Sequence, residues 1–210
     1  MKKTLITLMA AASLLAACDG NDNIENSIWI NDPDDFCLPK YSEWGYNTFG
    51  AQMGRSYFVS NWRDIPCSME WHDEDSTLEF TMNGCQAFKN DRYGSEYMTF
   101  GGNMSLTIII RYDSIIDGCQ KLYMLDKKTF DLNAPGITVL VKNKDNLPEP
   151  ISDIRSGEFC FKRVQMLYVD GKFEEAIVSG TFDIRYVKDG EKTWLSDGRF
   201  DLGITNKLFW

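Results

Sequence analysis

A chain of 210 residues with 22 basic and 31 acidic side chains, a net charge of −9 and one histidine is poorly suited to nucleic acid, since no basic cluster is present to neutralise a run of phosphates. The same acidity repels an anionic lipid surface. The length suits a single medium domain with a full hydrophobic core.

The first eighteen residues read as an export signal. Lys2 and Lys3 precede an apolar run from Leu5 to Leu15, followed by Leu15-Ala16-Ala17-Cys18. A basic segment, a short apolar segment and small residues before the cut are what export and processing machinery recognises. The run is too short to span a bilayer, which takes roughly 20 apolar residues. The last four residues resemble the lipobox of bacterial lipoproteins, which implies that Cys18 becomes the lipid-modified, palmitate-carrying first residue of the mature protein. A lipid anchor gains about 0.8 kcal/mol per buried methylene, so several chains on one cysteine hold a protein at a membrane. Membrane contact is then expected through lipid on Cys18 alone. No later apolar run approaches spanning length; the longest, Met104 to Ile110, fits one buried strand.

Residues 19–27 are polar and acidic and read as a flexible tether, leaving 28–210 as the folded domain. Asn31-Asp32-Pro33-Asp34-Asp35 is acidic enough to make Asp32, Asp34 and Asp35 candidate calcium ligands, although it lacks the central glycine and distal glutamate of a known calcium loop. From Trp29 to Trp71 the chain is rich in aromatic residues. Most belong in a core, but Trp44 and Trp71 sit in polar contexts and are the candidate ligand-binding residues, because a flat ring with a polar edge stacks on sugar faces or anchors a protein partner.

Strand-like runs of branched and aromatic residues follow: Thr77 to Met82, Met104 to Tyr112, Lys121 to Leu125, Ile137 to Val141, Glu158 to Val169, Phe173 to Val187 and Arg199 to Ile204. Asp170-Gly171 supplies the positive backbone angles of a tight hairpin. Asp189-Gly190 and Asp197-Gly198 read as further turns, making the C-terminal third a meander. Apolar residues do not recur at helical spacing over any useful length, so little helix is expected beyond a short one near Asp34 or Asp113. The fold class is all-β, an antiparallel sandwich or flattened barrel of about 8–10 strands.

Five cysteines remain after Cys18: Cys37, Cys67, Cys85, Cys119 and Cys160. In an oxidising compartment they are candidates for disulfides whose pairing the sequence does not rank. The alternative is that they are buried small apolar residues. Zinc is disfavoured, because no short paired spacing of cysteines and histidine occurs.

Catalytic signals are sparse. Any serine or cysteine nucleophile would depend on His72, within Glu70-Trp71-His72-Asp73-Glu74-Asp75, and this reads as a solvated histidine. Gly101-Gly102 lacks the lysine and helix start of a phosphate loop. Two carboxylates suffice for glycoside hydrolysis, so a polysaccharide hydrolase is permitted but not placed among 31 acidic residues.

Gly180-Thr181-Phe182-Asp183 echoes Gly198-Arg199-Phe200-Asp201, as neighbouring strands of one sheet do without a repeat architecture. Val178 to Asp183 followed by Ser196 to Asp201 resembles the C-terminal pattern of uncharacterised lipoproteins of the Bacteroidetes. Asn47-Thr48-Phe49-Gly50-Ala51, Gly54 and Tyr57-Phe58-Val59 resemble the opening strand of that group. Met53 departs from it, standing where a small or polar turn residue is usual. The resemblance implies an exported β-rich domain with no catalytic residues to carry over. It also implies that Asp19-Gly20-Asn21-Asp22 accompanies surface export at the outer membrane, whereas the rule of enteric bacteria reads Asp19 as inner-membrane retention.

The expected function is a non-catalytic binding or accessory module, lipid-anchored in the cell envelope, with a glycan or protein ligand. The alternatives are a polysaccharide hydrolase and a lipocalin-like carrier of a small apolar ligand.

Overall fold

In Thr77-Leu78-Glu79-Phe80-Thr81-Met82 every second residue is apolar, and the structure buries Leu78, Phe80 and Met82 on one face of a strand. Successive side chains of a strand point to opposite faces, so this alternation commits one side to a core. The same logic runs through a computed structural model that describes residues 27–60, 66–90, 97–112, 120–143, 147–151, 153–188 and 190–205. The lipobox with Cys18, most of the tether and Cys119 lie outside the described residues.

The elements in chain order are β1 (Thr48–Met53), β2 (Ser56–Ser60), β3 (Cys67–His72), β4 (Thr77–Asn90), β5 (Tyr97–Arg111), α1 (Gln120–Tyr123), β6 (Thr129–Asp131), β7 (Ile137–Asn143), β8 (Glu149–Pro150), β9 (Asp153–Val169), β10 (Lys172–Lys188) and β11 (Glu191–Thr205). The strands form one antiparallel sheet in the order β6-β9-β10-β11-β1-β2-β4-β5-β7-β8. β2 pairs with Gly84–Ala87 of β4 and β3 with Thr77–Met82, so the two lie end to end along one edge of β4. The sheet curls into a half-barrel, and of the two expected architectures the flattened barrel is the one adopted.

The curl is visible in the inner core. Phe80 of β4 meets Phe159 and Phe161 of β9 and Phe200 of β11 at centroid separations of 5.4, 5.8 and 5.5 Å, although β4 is not adjacent to β9 or β11 in the sheet. These rings reach one another across the concave side. Leu106, Ile108, Val139, Val178, Ile184 and Leu202 complete the same buried layer.

The internal echo has a cross-strand cause. In the β10–β11 register Gly180 lies opposite Phe200 and Phe182 opposite Gly198. A methyl group on Gly180 would overlap the Phe200 ring and the Cys160 carbonyl oxygen, and one on Gly198 would overlap Phe182. Each glycine makes room for the phenylalanine of the other strand.

Two local expectations are corrected. Lys121 to Leu125 is the single turn α1 and a following turn, with Leu125 N–H donating to the Leu122 carbonyl at 3.0 Å. Its buried residues, Leu122 and Leu125, are three apart, a turn spacing rather than a strand spacing. Asp197-Gly198 does not end a strand: β11 continues through it with an irregularity in register, Asp197 adopting φ 53°. Aspartate tolerates that left-handed conformation, so a dipeptide able to turn the chain here makes a bulge. At Asp170-Gly171, φ values of 50° and 75° give the expected hairpin turn between β9 and β10.

A second, smaller core lies on the outer face. Residues 27–47 form a strap pinned to itself by Ile28 N–H to Tyr46 O at 2.8 Å and Lys40 N–H to Ile30 O at 2.7 Å. The strap sets Cys37 and Leu38 against Tyr57, Val59, Cys85 and Ala87 of β2 and β4, with Trp29 and Phe36 half-buried beside them.

Candidate functional site

The strap determines which part of the outer surface is left open. Its last turn crosses β10 and β11 above Asp201, whose buried carboxylate accepts hydrogen bonds from the N–H groups of Trp44, Gly45 and Tyr46 at 3.1, 2.8 and 3.3 Å. The hydroxyls of Ser42 and Ser179 also donate to it. Asn47, at φ 55°, turns its side-chain oxygen to the Gly203 N–H at 2.8 Å. Glu43 pairs with Arg163 of β9 at 3.1 Å and accepts from the Tyr41 hydroxyl at 3.0 Å. Burial, then that bond to Glu43, raises the Tyr41 pKa above the ordinary phenol value.

Past Tyr41, among the described residues, the outer face of β9, β10 and β11 carries two clefts. A first cleft of about 400 Å³ follows, lined by Glu158, Cys160 and Lys162 of β9, Asp183 of β10, and Asp197 and Arg199 of β11. Cys160 is half-buried here and its sulfur accepts from the Thr129 hydroxyl at 3.2 Å. The three carboxylates lie on three different strands, held at fixed register by the β9–β10 and β10–β11 ladders.

A second cleft of about 780 Å³ lies toward the β10–β11 hairpin, lined by Arg155 of β9, Arg185 and Val187 of β10, and Lys192, Trp194 and Ser196 of β11. Arg185 is directly opposite Trp194, and Val187 opposite Lys192. Inward-facing Ile184 and Leu195 fix this orientation, since their neighbours must point outward. Trp194 is 44% exposed. The two clefts meet where Arg185 reaches Asp183 at 3.8 Å, and Arg155 pairs with Asp153 at 2.8 Å. Chemically, the second cleft offers an aromatic face beside planar cationic donors, and the first offers carboxylates with hydroxyl and ammonium groups.

The residues singled out from sequence do not converge on these clefts. Trp44 is 72% exposed, on the strap. Trp71 is half-buried on the inner side of β3, packed on the core and edge-on to Tyr112 at 5.2 Å. One ring faces outward from the strap and the other packs within the concave side, so they do not share a surface.

Asp32, Asp34 and Asp35 shape the strap. One Asp32 oxygen accepts from the N–H groups of Asp34 and Asp35 at 2.9 and 3.4 Å, and the other pairs with Arg199. Burial acts to raise the Asp32 pKa, but the N–H bonds and the Arg199 guanidinium together outweigh it and the net shift is downward. Asp35 accepts from the Cys37 N–H at 3.2 Å and bonds the Tyr57 hydroxyl, whose pKa rises through burial first and this bond second. Among the described residues no group of three or more histidine, cysteine, aspartate or glutamate side chains is placed to hold a metal ion.

His72 ends β3, exposed, with Nε2 3.7 Å from Glu79. Cys67, Cys85 and Cys160 are present as free thiols. Cys67 lies in the inner core and Cys85 in the outer one, with the sheet between them. Burial pushes the Cys67 thiol up to about 12 and raises that of Cys85, as expected of cysteines serving as small apolar residues. Cys37 is buried in the outer core beside Leu38.

Trp194 and Lys192 carry a local sequence signal that the aromatic-rich N-terminal region outweighs. In Lys192-Thr193-Trp194-Leu195-Ser196, alternation about the apolar Leu195 places Trp194 on the polar side with Lys192 and Ser196. A tryptophan on the solvent side of a strand is the informative exception to burial. What the strand pattern does not supply is that Arg155 and Arg185 are brought to the same place.

No protein-family description, curated protein or solved structure matches this chain.

Proposed function

We propose that the chain is a lipid-anchored protein of the cell envelope, attached through Cys18 to the outer membrane and displayed on its outer side. Its β domain is a non-catalytic binding module for a glycan. The lipobox and acidic tether support the address. The observation that carries the binding reading is the open Trp194 ring in a cleft of about 780 Å³ with Arg155, Arg185 and Lys192. Pockets that hold ligands combine apolar or aromatic walls with a few convergent polar groups on a rigid frame, and here the frame is three hydrogen-bonded strands.

A glycan array scored for retention and for newly released reducing ends tests this reading: retention without turnover is expected, and turnover would replace it with the hydrolase. That second reading has its own support, since Glu158, Asp183 and Asp197 share the neighbouring cleft and glycoside hydrolysis uses carboxylates flanking a bound sugar. Any turnover should then vanish in Glu158→Gln or Asp183→Asn. The carrier reading has less support. A carrier holds its ligand inside, where Phe80, Phe159, Phe161 and Phe200 pack at centroid separations of 5.1 to 5.9 Å.

The address is tested separately. Labelled palmitate should enter the wild-type chain and not Cys18→Ser, and protease applied to intact cells should release the domain. A Cys18→Ser variant that stayed membrane-bound and fully active would overturn the anchor.

A further inference from the structure

Resting on the binding reading, we infer that the ligand of the Trp194 cleft is an anionic glycan whose sugars carry carboxylate groups, a uronate chain. The protein as a whole is acidic, with a net charge of −9, yet the larger cleft gathers Arg155, Arg185 and Lys192 around one exposed tryptophan. Guanidinium and ammonium groups bond anions more strongly than neutral hydroxyls, and a cationic cleft on an acidic protein is complementary to an anionic ligand.

The geometry favours a sugar acid over other anions. Arg185 and Trp194 are direct cross-strand partners, which places a planar guanidinium beside a ring able to stack on a pyranose face. Among the described residues no ring packs against Trp194 and no cation lies over it, so the ring is available. Guanidinium groups bind planar carboxylates through two parallel hydrogen bonds. The existing partners are easily exchanged: Arg155 and Arg185 each have side chains 68% exposed, as have Asp153 and Asp183 at 40% and 45%. Exposed pairs of this kind contribute little and exchange readily. Among the described residues Lys192 has no carboxylate within 4.0 Å.

Nucleic acid and acidic peptide fit less well. A nucleic acid needs a run of cations along its backbone, and three gathered around one tryptophan do not supply it. The cleft runs across β9, β10 and β11, and β10 is paired on both sides, so the central strand has no free ladder edge for a peptide backbone.

The test measures binding of the full chain, in detergent, to oligogalacturonate, oligoalginate and hyaluronan oligosaccharides, each beside its carboxyl-reduced neutral counterpart. Poly-glutamate and a single-stranded DNA oligonucleotide are the anionic controls. At least one uronate should bind about tenfold or more tighter than its reduced form, with affinity falling as salt rises. Arg155→Ala/Arg185→Ala and Trp194→Ala should each lose about tenfold, and Trp44→Ala should leave binding unchanged. The comparison of charged with reduced sugar uses the wild-type chain, so it decides even where a variant folds poorly.

Equal binding to charged and reduced sugars would overturn the inference while leaving a glycan-binding module in place. So would capture of a neutral glycan on the array with no uronate bound. Equal affinity for poly-glutamate or DNA would reduce the cleft to unselective charge and overturn it as well. No glycan bound in either the array or this panel would overturn both this inference and the binding reading beneath it.

Discussion

The outer face of β9, β10 and β11 is one surface with two fates. Toward one end the strap covers it, and Ile177, Asp201 and Gly203 lie against residues 42–47. Toward the other end nothing covers it among the described residues, and Arg155, Arg185, Lys192 and Trp194 remain open. Both halves are polar strand surface. The covered half has become structure because Asp201 and the Gly203 N–H meet main-chain and side-chain partners from the strap, whereas the uncovered half keeps its hydrogen-bonding capacity and aromatic surface for something else. Burial of a polar group costs stability unless it is bonded, and that rule separates the two regions.

The comparison predicts opposite responses to mutation. Asp201→Ala should have the largest effect, because it strands the N–H groups of Trp44, Gly45 and Tyr46 together. A loss of about 3 kcal/mol, or about 6–12 °C in Tm, is expected in thermal denaturation. A shift below a degree would mean that the strap is not anchored there.

Arg199→Ala comes next, at about 2 kcal/mol, since its pair with Asp32 has side chains only 18% and 16% exposed. The sign with pH follows from the lowered Asp32 pKa. The contribution is fully present above the unfolded carboxylate value of about 3.9 and is lost as pH falls through the lower folded value. Melting wild type and variant in parallel from pH 7 to pH 2 should show the gap closing only at the acid end.

Glu175→Gln should act the other way. Glu175 is buried beneath the strap, one of its oxygens has no hydrogen-bond partner, and burial raises its pKa. The native state therefore binds more protons than the unfolded state, and stability falls as pH rises through the folded value. At pH 7 the glutamine should raise Tm by about 2–4 °C, a gain that disappears in acid where the glutamate is neutral in both states. A variant less stable than wild type at pH 7 would show that the ionised carboxylate is satisfied there.

The smallest stability effect belongs to the open half. Trp194→Ala should change stability by no more than about 0.5 kcal/mol while removing ligand capture. If it unfolded the domain, Trp194 would be a packing residue and the distinction between the halves would fail.

How far the sequence reveals these halves depends on the range of the interactions. Alternation in β4, β9 and β10 is local, and it sets which side chains face the barrel interior. The β9–β10 hairpin is equally local, because Asp170-Gly171 supplies its own backbone angles. The Asp197-Gly198 bulge was not readable, since that dipeptide turns or bulges according to whether the partner strand continues, and β10 does continue. The role of the aromatic-rich N-terminal stretch is not legible locally for the same reason. Trp29 and Phe36 dock the strap, Phe36 with Lys89 4.8 Å from its ring, and that role exists only once β2 and β4 are in place.

By itself, then, the sequence determined an export signal ending at Cys18 as an expectation, an acidic surface, and an all-β domain, because charge, apolar length and two-residue alternation are properties of the chain read locally. Only the tertiary structure decided that Asp201 is a buried anchor while Trp194 is open with three cations around it. The bonds that settle this join residues as far apart as Gly45 and Asp201, and no local pattern records a contact across 156 positions of the chain.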